Sequence, residues 1–185
     1  MAGLRGSATL KIAHIEQKKR DERMDEPDDP VMRDFQESDL KPVQDLIFRT
    51  IDVSYAAVYP PRALDFFKAF HAEEDILQRS NDGDVLVMEQ GGQLIATGAL
   101  VEGEIFAVFV DPAQQQRGLG KRLMHELEAR ALAQGHHVST LSVSLPSRRF
   151  YEDLGYELLE KRARDLGEGQ VMRFWKAQKS LRNTR

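Results

Sequence analysis

A glycine-containing turn in the middle of the chain constrains its fold more than any other feature. An apolar run that ends at Val110 predicts a strand, and Asp111-Pro112 stops it. The segment Gln115-Gln116-Arg117-Gly118-Leu119-Gly120 then opens a helix whose apolar residues recur at helical spacing. The N-terminus of such a helix presents unpaired backbone N–H groups, and glycines let an anion approach them. Because Arg117 and the adjacent Lys121 add positive charge, the turn predicts a pyrophosphate site.

The turn does not match the sequence patterns of two other phosphate-binding loops. Leu123 stands where the dinucleotide-binding fingerprint requires glycine or alanine, and the glycine spacing differs from that of a Walker A loop. Taken alone, the turn leaves two interpretations open. It is either an anion site or a tight strand-to-helix connection whose glycines serve only its geometry.

The elements on either side of the turn predict a mixed α+β fold. Val31–Gln36 is typical of a first strand, and Ser38 or Asp39 is expected to cap a helix with apolar residues up to Ile51. A second helix is predicted to end near Asn81-Asp82-Gly83. Strands are predicted over residues 84–89, 93–100, 104–110, 137–143, 156–160 and 170–175, with a short helix over 147–154. Short connections make this sheet mostly antiparallel, and helices are expected to flank it.

The chain is predicted to divide into an extension, one domain and a tail. Residues 1–30 are strongly charged and interrupted by prolines, which predicts a flexible extension. The folded domain is expected over residues 31–176 and a short tail over 177–185. A formal net charge of −4, no apolar run long enough to span a membrane and no hydrophobic signal core predict a cytoplasmic protein. No nucleic-acid or membrane partner is expected.

The absence of cysteine removes several kinds of site. The chain can form no disulfide, no thiolate nucleophile and no cysteine-ligated metal centre. His125-Glu126 looks like the beginning of a zinc-protease helix, but Ala129 replaces the second histidine. The sequence therefore predicts no metal site, and it excludes an acyl-enzyme on a protein thiol.

A second motif lies downstream of the turn, where Phe150-Tyr151-Glu152-Asp153-Leu154-Gly155-Tyr156 follows the predicted helix and strand. This segment resembles the Phe-Tyr-x-x-x-Gly-Phe/Tyr motif of the GNAT superfamily of acetyl-CoA-dependent N-acetyltransferases. The turn is similar to that family's Gln/Arg-x-x-Gly-x-Gly/Ala segment, matched by Gln115, Gly118 and Gly120. Two motifs in this order are much harder to obtain by chance than one. As an order of elements, the resemblance covers roughly residues 31–176.

The resemblance implies a GNAT-like acyl-CoA N-acyltransferase fold and acetyl-CoA as the co-substrate. Many relatives carry asparagine and alanine where this chain has Ser144 and Ser147, and a serine hydroxyl there is expected to bond to the pantetheine arm or to the backbone. The residues expected to bind acetyl-CoA are Val108, Phe109, Val110, Gln115, Gln116, Arg117, Gly118, Leu119, Gly120, Lys121 and Ser144.

Acetyl transfer to an amine gives roles to two further side chains. An amine such as that of lysine, with a pKa of about 10.4, must lose a proton before it attacks. Glu104, with Glu102 behind it, is the candidate general base, and the alternative is an acid solvated at a strand entrance. The resemblance assigns Tyr151 as the acid for the leaving thiolate, and the alternative is a ring packed beside Phe150. Backbone N–H groups along Val108–Val110 are candidates for stabilising the oxyanion.

Together these features predict an N-acetyltransferase that passes the acetyl group of acetyl-CoA directly to an amine of a small molecule or peptide. Its acceptor pocket is expected around Tyr55, Tyr59 and Phe66. The alternative from another class is a non-catalytic acyl-CoA-binding regulatory module. Phe174 and Trp175 are candidates for either core packing or a contact between two copies, which leaves a homodimer open.

Overall fold

The computed structural model describes residues 29–182. Apart from Asp29 and Pro30, the predicted N-terminal extension lies outside the described residues, as do residues 183–185 of the predicted tail. Across residues 29–182, no helix combines the length and the apolar character needed to cross a membrane. The last strand continues to Ser180, beyond the predicted domain end at residue 176, because its backbone pairs with a strand on each side.

A seven-stranded sheet forms the centre of the domain. Its strands are β1 (Val31–Asp34), β2 (Asp84–Gln90), β3 (Gln93–Val101), β4 (Glu104–Val110), β5 (Val138–Ser144), β6 (Glu157–Asp165) and β7 (Val171–Ser180). They lie in the order β1-β2-β3-β4-β5-β7-β6, with β4 and β5 parallel and the other described neighbours antiparallel. The predicted mixed α+β fold with a mostly antiparallel sheet is confirmed.

Helices pack on both faces of this sheet. They are α1 (Leu40–Ser54), α2 (Pro61–Ala69), α3 (Glu73–Asp82), α4 (Leu119–Ala133) and α5 (Arg148–Asp153). The predicted helix end near Asn81-Asp82-Gly83 is confirmed, but the prediction of one continuous helix is wrong, because the chain forms α2 and α3 there. Ala72 adopts an extended backbone with ψ of 160°, and the His71 ring packs on Phe109 with centroids 5.1 Å apart. A tertiary contact therefore interrupts a segment whose local pattern favoured a continuous helix.

The start of α1 also differs from its prediction. A short 3-10 turn over residues 37–39 precedes the helix, and the Asp39 side chain does not cap it. The carboxylate instead accepts a hydrogen bond from the Arg33 guanidinium at 2.6 Å and one from the Gln36 N–H at 2.8 Å. The Arg33 guanidinium holds the pKa of this carboxyl below its usual range. Asp39 thus ties β1 to the start of α1.

The two faces of the sheet carry separate apolar clusters. On one face, Leu123 and Leu127 of α4 pack over Gly98 of β3, where an added Cβ would lie 2.9 Å from Leu127 Cδ1. On the other face, α1 and α3 pack against Val87 and Phe109. Each large side chain that is fully buried in this way contributes about 1.5–3 kcal/mol to folding. The sheet is therefore held between two layers, and its β4–β5 region is fixed from both sides.

Strands β4 and β5 separate part-way along their length, and this separation positions the site. Their parallel ladder ends at the pair formed by Ile105 and Leu141. Further along β4, Ala107 has a φ of 51°, and the register with β3 shifts around it. A bulge of this kind bends the strand and takes N–H groups out of the ladder. Beyond Ile105, the two strands therefore border a cleft.

Candidate functional site

A cavity of about 550 Å³ occupies the cleft between β4 and β5. The end of α1 and the residues of α2 form one wall, β4 and β5 form the middle, and the β6–β7 hairpin forms the other wall. The cavity brings together five of the predicted site residues, namely Glu104, Val108, Phe109, Ser144 and Tyr151. Val110 and the turn residues 115–121 do not line it. A volume of this size suits the reacting ends of small ligands.

Tyr151 lies in the cavity wall on the short helix α5. Its side chain is 7% exposed, and its ring packs against Phe150 and Tyr156 with centroid distances of 5.0 and 5.8 Å. Burial, with a smaller contribution from Tyr55, raises the pKa of the Tyr151 phenol well above its ordinary value. The phenol therefore keeps its proton at neutral pH and is available as a hydrogen-bond or proton donor.

Ser144 and Ser147 bond to each other. Their hydroxyl oxygens are 2.7 Å apart, and the Ser144 hydroxyl also donates to the Tyr55 phenol oxygen at 3.1 Å. Because the Ser144 proton points to Tyr55, the Ser147 hydroxyl is the donor within the pair, and it shares its proton with the Ser144 carbonyl at 3.2 Å. Both serines line the cavity. The pair thus joins the end of β5 to the end of α1 beside Tyr151.

Glu104 sits at the start of β4 and faces β7. Its Oε1 accepts a hydrogen bond from the Lys176 Nζ at 2.9 Å, and its side chain is 31% exposed. The neighbouring acid, Glu102, is an exposed turn residue with φ of 48° and does not line the cavity. Of the two acids, only Glu104 lies where an acceptor in the cavity can reach it.

The glycine turn has the backbone shape of an anion site. Gln116 and Gly118 have φ values of 63° and 78°, in the left-handed region. The first intrahelical bond of α4 runs from the Arg122 N–H to the Gly118 carbonyl at 3.0 Å, so the N–H groups before it have no partner within the helix. Gln115 donates from Nε2 to the Val110 carbonyl at 3.1 Å, which ties the turn to the end of β4. The turn can therefore hold an anion at the positive end of the α4 dipole.

Packing against neighbouring side chains also favours glycine at position 120. A Cβ at this position would lie 3.2 Å from the Phe150 ring and 3.6 Å from Val110 Cγ2. A larger residue would therefore press on the residue next to Tyr151, in addition to crowding the approach of an anion. Gly118 has open space around it, and its positive φ is what requires glycine.

The acceptor side of the cavity contains residues that local sequence patterns do not reveal. His71 lines the cavity and is 4% exposed, and burial, followed by the charge of Arg79, lowers its pKa to about 3. Of the predicted pocket residues, Tyr55 and Phe66 line the cavity, but Tyr59 does not. Its hydroxyl donates to the Arg173 carbonyl at 2.7 Å and accepts from an N–H of the loop after β5 at 2.8 Å. Tyr59 thus braces the cavity walls.

Between residues 29 and 182, no group of three or more histidine, aspartate or glutamate side chains is arranged to hold a metal ion. The acidic and imidazole groups of the cavity, Glu104 and His71, are each engaged by a cationic neighbour, Lys176 and Arg79 respectively.

The chain matches the family model described as an acetyltransferase (GNAT) domain over residues 53–169. No curated protein matches it. Among solved structures, the GCN5-related N-acetyltransferase from Rhodopseudomonas palustris is similar, with a TM-score of 0.75 and 20% identity over 84% of this chain and 98% of that one. The PaiA N-acetyltransferase from Thermoplasma acidophilum, solved in complex with coenzyme A, gives a TM-score of 0.67 and 18% identity over 82% and 99%.

A third similar structure is YncA, a putative acetyltransferase from Salmonella typhimurium solved with acetyl-CoA. Its TM-score is 0.61, with 20% identity over 85% of this chain and 96% of that one. At these identities the structures establish the fold, and the predicted GNAT-like architecture is confirmed.

Proposed function

The chain belongs to the GNAT family of N-acetyltransferases, and from this premise we propose that it moves the acetyl group of acetyl-CoA directly onto an amine held in the β4–β5 cavity. One observation carries the proposal. The buried, protonated phenol of Tyr151 and the carboxylate of Glu104 line the same cavity, one beside the end of β5 and the other at the start of β4. This common lining supports the proposal that Tyr151 is the proton donor and Glu104 the proton acceptor of one reaction.

Acetyl-CoA binding is proposed to use the α4 turn and the cleft together. The pyrophosphate would meet the N–H groups of the turn, with Arg117 and Lys121 adding positive charge, and the pantetheine arm would follow β4 into the cleft. Two similar structures were solved with coenzyme A or acetyl-CoA, which supports the same ligand for this chain. Ser144, which lines the cavity at the end of β5, is the proposed contact for the pantetheine end.

The acceptor must first become a neutral nucleophile. Glu104 Oε1 is held by Lys176, and Oε2 takes the amine proton, directly or through a water molecule. The amine nitrogen then forms a bond to the thioester carbonyl carbon, and the carbonyl oxygen becomes an oxyanion. Backbone N–H groups released by the β4 bulge at Ala107 are the proposed donors to that oxygen.

The intermediate collapses when its carbon–sulfur bond breaks. The electron pair leaves with sulfur, and the Tyr151 hydroxyl donates its proton to the thiolate, which gives coenzyme A as a free thiol and the acetylated amine. The second proton of the attacking nitrogen passes through solvent to the Tyr151 phenolate, and Glu104 releases the first proton to bulk solvent. One turnover of an ammonium acceptor therefore yields the amide, the free thiol and one proton. A thiol acyl-enzyme is excluded because the chain has no cysteine, and a cavity lined by both proposed catalytic groups supports direct transfer.

The test incubates the full chain with acetyl-CoA and a panel of amines while free thiol is followed. We expect thiol release that depends on the amine and matches the amount of acetylated product. Binding of acetyl-CoA without amine-dependent thiol release would favour the non-catalytic acyl-CoA-binding module instead.

A further inference from the structure

The β6–β7 hairpin presents a row of cations to the cavity. Pairing of Arg162 with Phe174 and of Arg164 with Met172 places these four residues on one face of the hairpin, and Lys176 follows them on β7. All five line the cavity. One wall of the proposed acceptor site therefore carries three positively charged side chains beside the apolar side chains of Met172 and Phe174.

The three cations differ in their partners. Lys176 pairs with Glu104 at 2.9 Å, and Arg162 pairs with Glu160 at 2.8 Å. Arg164 forms no ion pair with any carboxylate in the described part of the chain, and its guanidinium lies over the Phe66 ring at 4.5 Å. Stacking on a ring engages the face of a guanidinium and leaves its in-plane N–H groups available for a carboxylate. Arg164 is thus the cation on this wall that can receive a ligand.

The side chains that line the opposite wall are aromatic, and the nearby Arg79 guanidinium bonds to His71 and to the Phe70 carbonyl and does not line the cavity. The residues that line this wall include Phe66 and Phe67 of α2, Phe70 just after this helix, and Tyr55. His71 is neutral there because burial lowers its pKa to about 3. Among the described residues, this wall therefore offers mainly apolar area, to the body of an acceptor.

The two walls are tied together at one end, which limits the size of the acceptor. The Arg62 guanidinium donates to the Leu166 carbonyl at 2.8 Å, the Arg62 N–H donates to the Gln170 side chain at 3.1 Å, and Arg62 also pairs with Glu168. These bonds fasten the tip of the β6–β7 hairpin to the start of α2. A space of about 550 Å³ that must also admit the acetyl group suits a small molecule better than a polypeptide.

We propose that the acceptor is a small amine with an apolar body and a carboxylate, and that Arg164, stacked on Phe66, binds this carboxylate. The inference rests on the proposed acetyl transfer and adds a substrate class to it. The amine would point toward Glu104, the apolar body would lie on the α2 aromatic wall, and the carboxylate would pair with Arg164 at the hairpin.

A binding experiment tests the carboxylate site without requiring turnover. Isothermal titration of 3-phenylpropionate and of its neutral amide, 3-phenylpropanamide, into the coenzyme-A-saturated full chain compares two ligands of the same shape. We expect the acid to bind about tenfold more tightly than the amide, since an arginine–carboxylate pair is lost with the amide. Arg164→Gln should remove this preference, and Arg164→Lys should restore part of it.

Lys161→Gln is the matched control. Lys161 lies three residues before Arg164, on the other face of β6, and its Nζ lies over the Trp175 ring at 5.6 Å. Its replacement therefore removes one positive charge from a similar stacked position that does not line the cavity. We expect this variant to keep the wild-type preference for the acid. Equal affinity for acid and amide, binding of neither, or an unchanged preference in Arg164→Gln would each overturn the carboxylate assignment.

Turnover separates this inference from the proposed function. With L-phenylalanine and 2-phenylethylamine as acceptors, we expect thiol release to be at least about tenfold more efficient for the amino acid. If 2-phenylethylamine reacts equally well, the acetyltransferase function stands and the carboxylate site fails. If no amine releases thiol from a chain that binds acetyl-CoA, the proposed function fails whatever the binding preference.

Discussion

The α4 turn and the acceptor side of the cavity are built in different ways. The turn is a continuous segment whose shape depends on backbone angles at Gln116 and Gly118 and on a local bond from Gln115. The acceptor side is assembled from Phe66, His71, Glu104 and other side chains that are far apart in the sequence. A site made by local backbone geometry leaves a motif in the sequence, whereas a site made by tertiary packing does not.

Loss of the Tyr151 phenol should have the largest effect on kcat, because this group is proposed to act where the bound cofactor meets the acceptor. Tyr151→Phe is expected to lower kcat about 10³-fold while coenzyme A affinity stays near wild type, since the proton donor is removed and the ring is kept. Stopped-flow thiol release and equilibrium binding measure the two quantities. Wild-type kcat in this variant would mean that the phenol does not protonate the thiolate.

Tyr156→Phe is the control for removing a neighbouring buried phenol. Its hydroxyl donates to the Ser139 hydroxyl at 3.1 Å and does not line the cavity. This change should cost about 1 kcal/mol of unfolding free energy, from the lost hydrogen bond, with little effect on kcat.

Glu104→Gln should lower kcat/KM about 10²-fold at pH 7, since the amine then lacks its base. The deficit should shrink as pH rises, because a larger fraction of the amine, with a pKa of about 10.4 for a lysine-like group, is already neutral. A pH profile of both proteins measures this ratio. Glu102→Gln, which changes an exposed acid outside the cavity, should give the wild-type profile. A deficit that is constant with pH would argue against Glu104 as the base.

On the cofactor side, Gly118→Ala should weaken coenzyme A binding about tenfold. Alanine disfavours the φ of 78° by about 1–2 kcal/mol, and binding must restore that conformation for the N–H groups to converge. Gly92→Ala in the β2–β3 turn introduces similar strain at φ of 76°, also with open space around it. This control should lose similar stability and keep its affinity. Equal affinities for the two variants would contradict the role of the turn.

The acceptor side has a pH dependence of its own through His71. Its folded pKa of about 3 lies below the unfolded value of about 6.5, so the unfolded state binds the proton first as pH falls. The free energy of unfolding is therefore not reduced by His71 above about pH 6.5. It falls as pH drops from 6.5 toward 3, by up to about 1.4 kcal/mol per pH unit. Denaturant unfolding of His71→Leu should show a flatter profile. Exposed His125→Gln should keep the wild-type slope, and the same slope in both variants would contradict this account.

The sequence predicted the parts of the fold whose signals are local. The end of β4 was predictable because a continuous apolar run stops at Asp111-Pro112. The break between α2 and α3 was not, because it depends on His71 packing against Phe109 from a distant strand. Strand β6 was predicted too short because most of its residues are charged and exposed, and its length comes from pairing with β7.

The site follows the same rule. The turn motif and the Phe150-Tyr151 motif led to the cofactor and to a candidate acid through their resemblance to the GNAT family. No local pattern pointed to Arg164, because the feature that distinguishes it from Arg162 is the ring of Phe66 in place of a carboxylate. That distinction exists only after α2 and the hairpin are folded together.

The central claim is direct transfer within one cavity, and a rapid-mixing experiment tests it most directly. The full chain is mixed with acetyl-CoA alone, and an amine acceptor is added afterwards while thiol and acetylated product are counted. Direct transfer predicts no thiol before the amine arrives and one thiol per acetylated amine afterwards. A burst of thiol before the amine, or bound acetyl-CoA that never yields thiol, would contradict it.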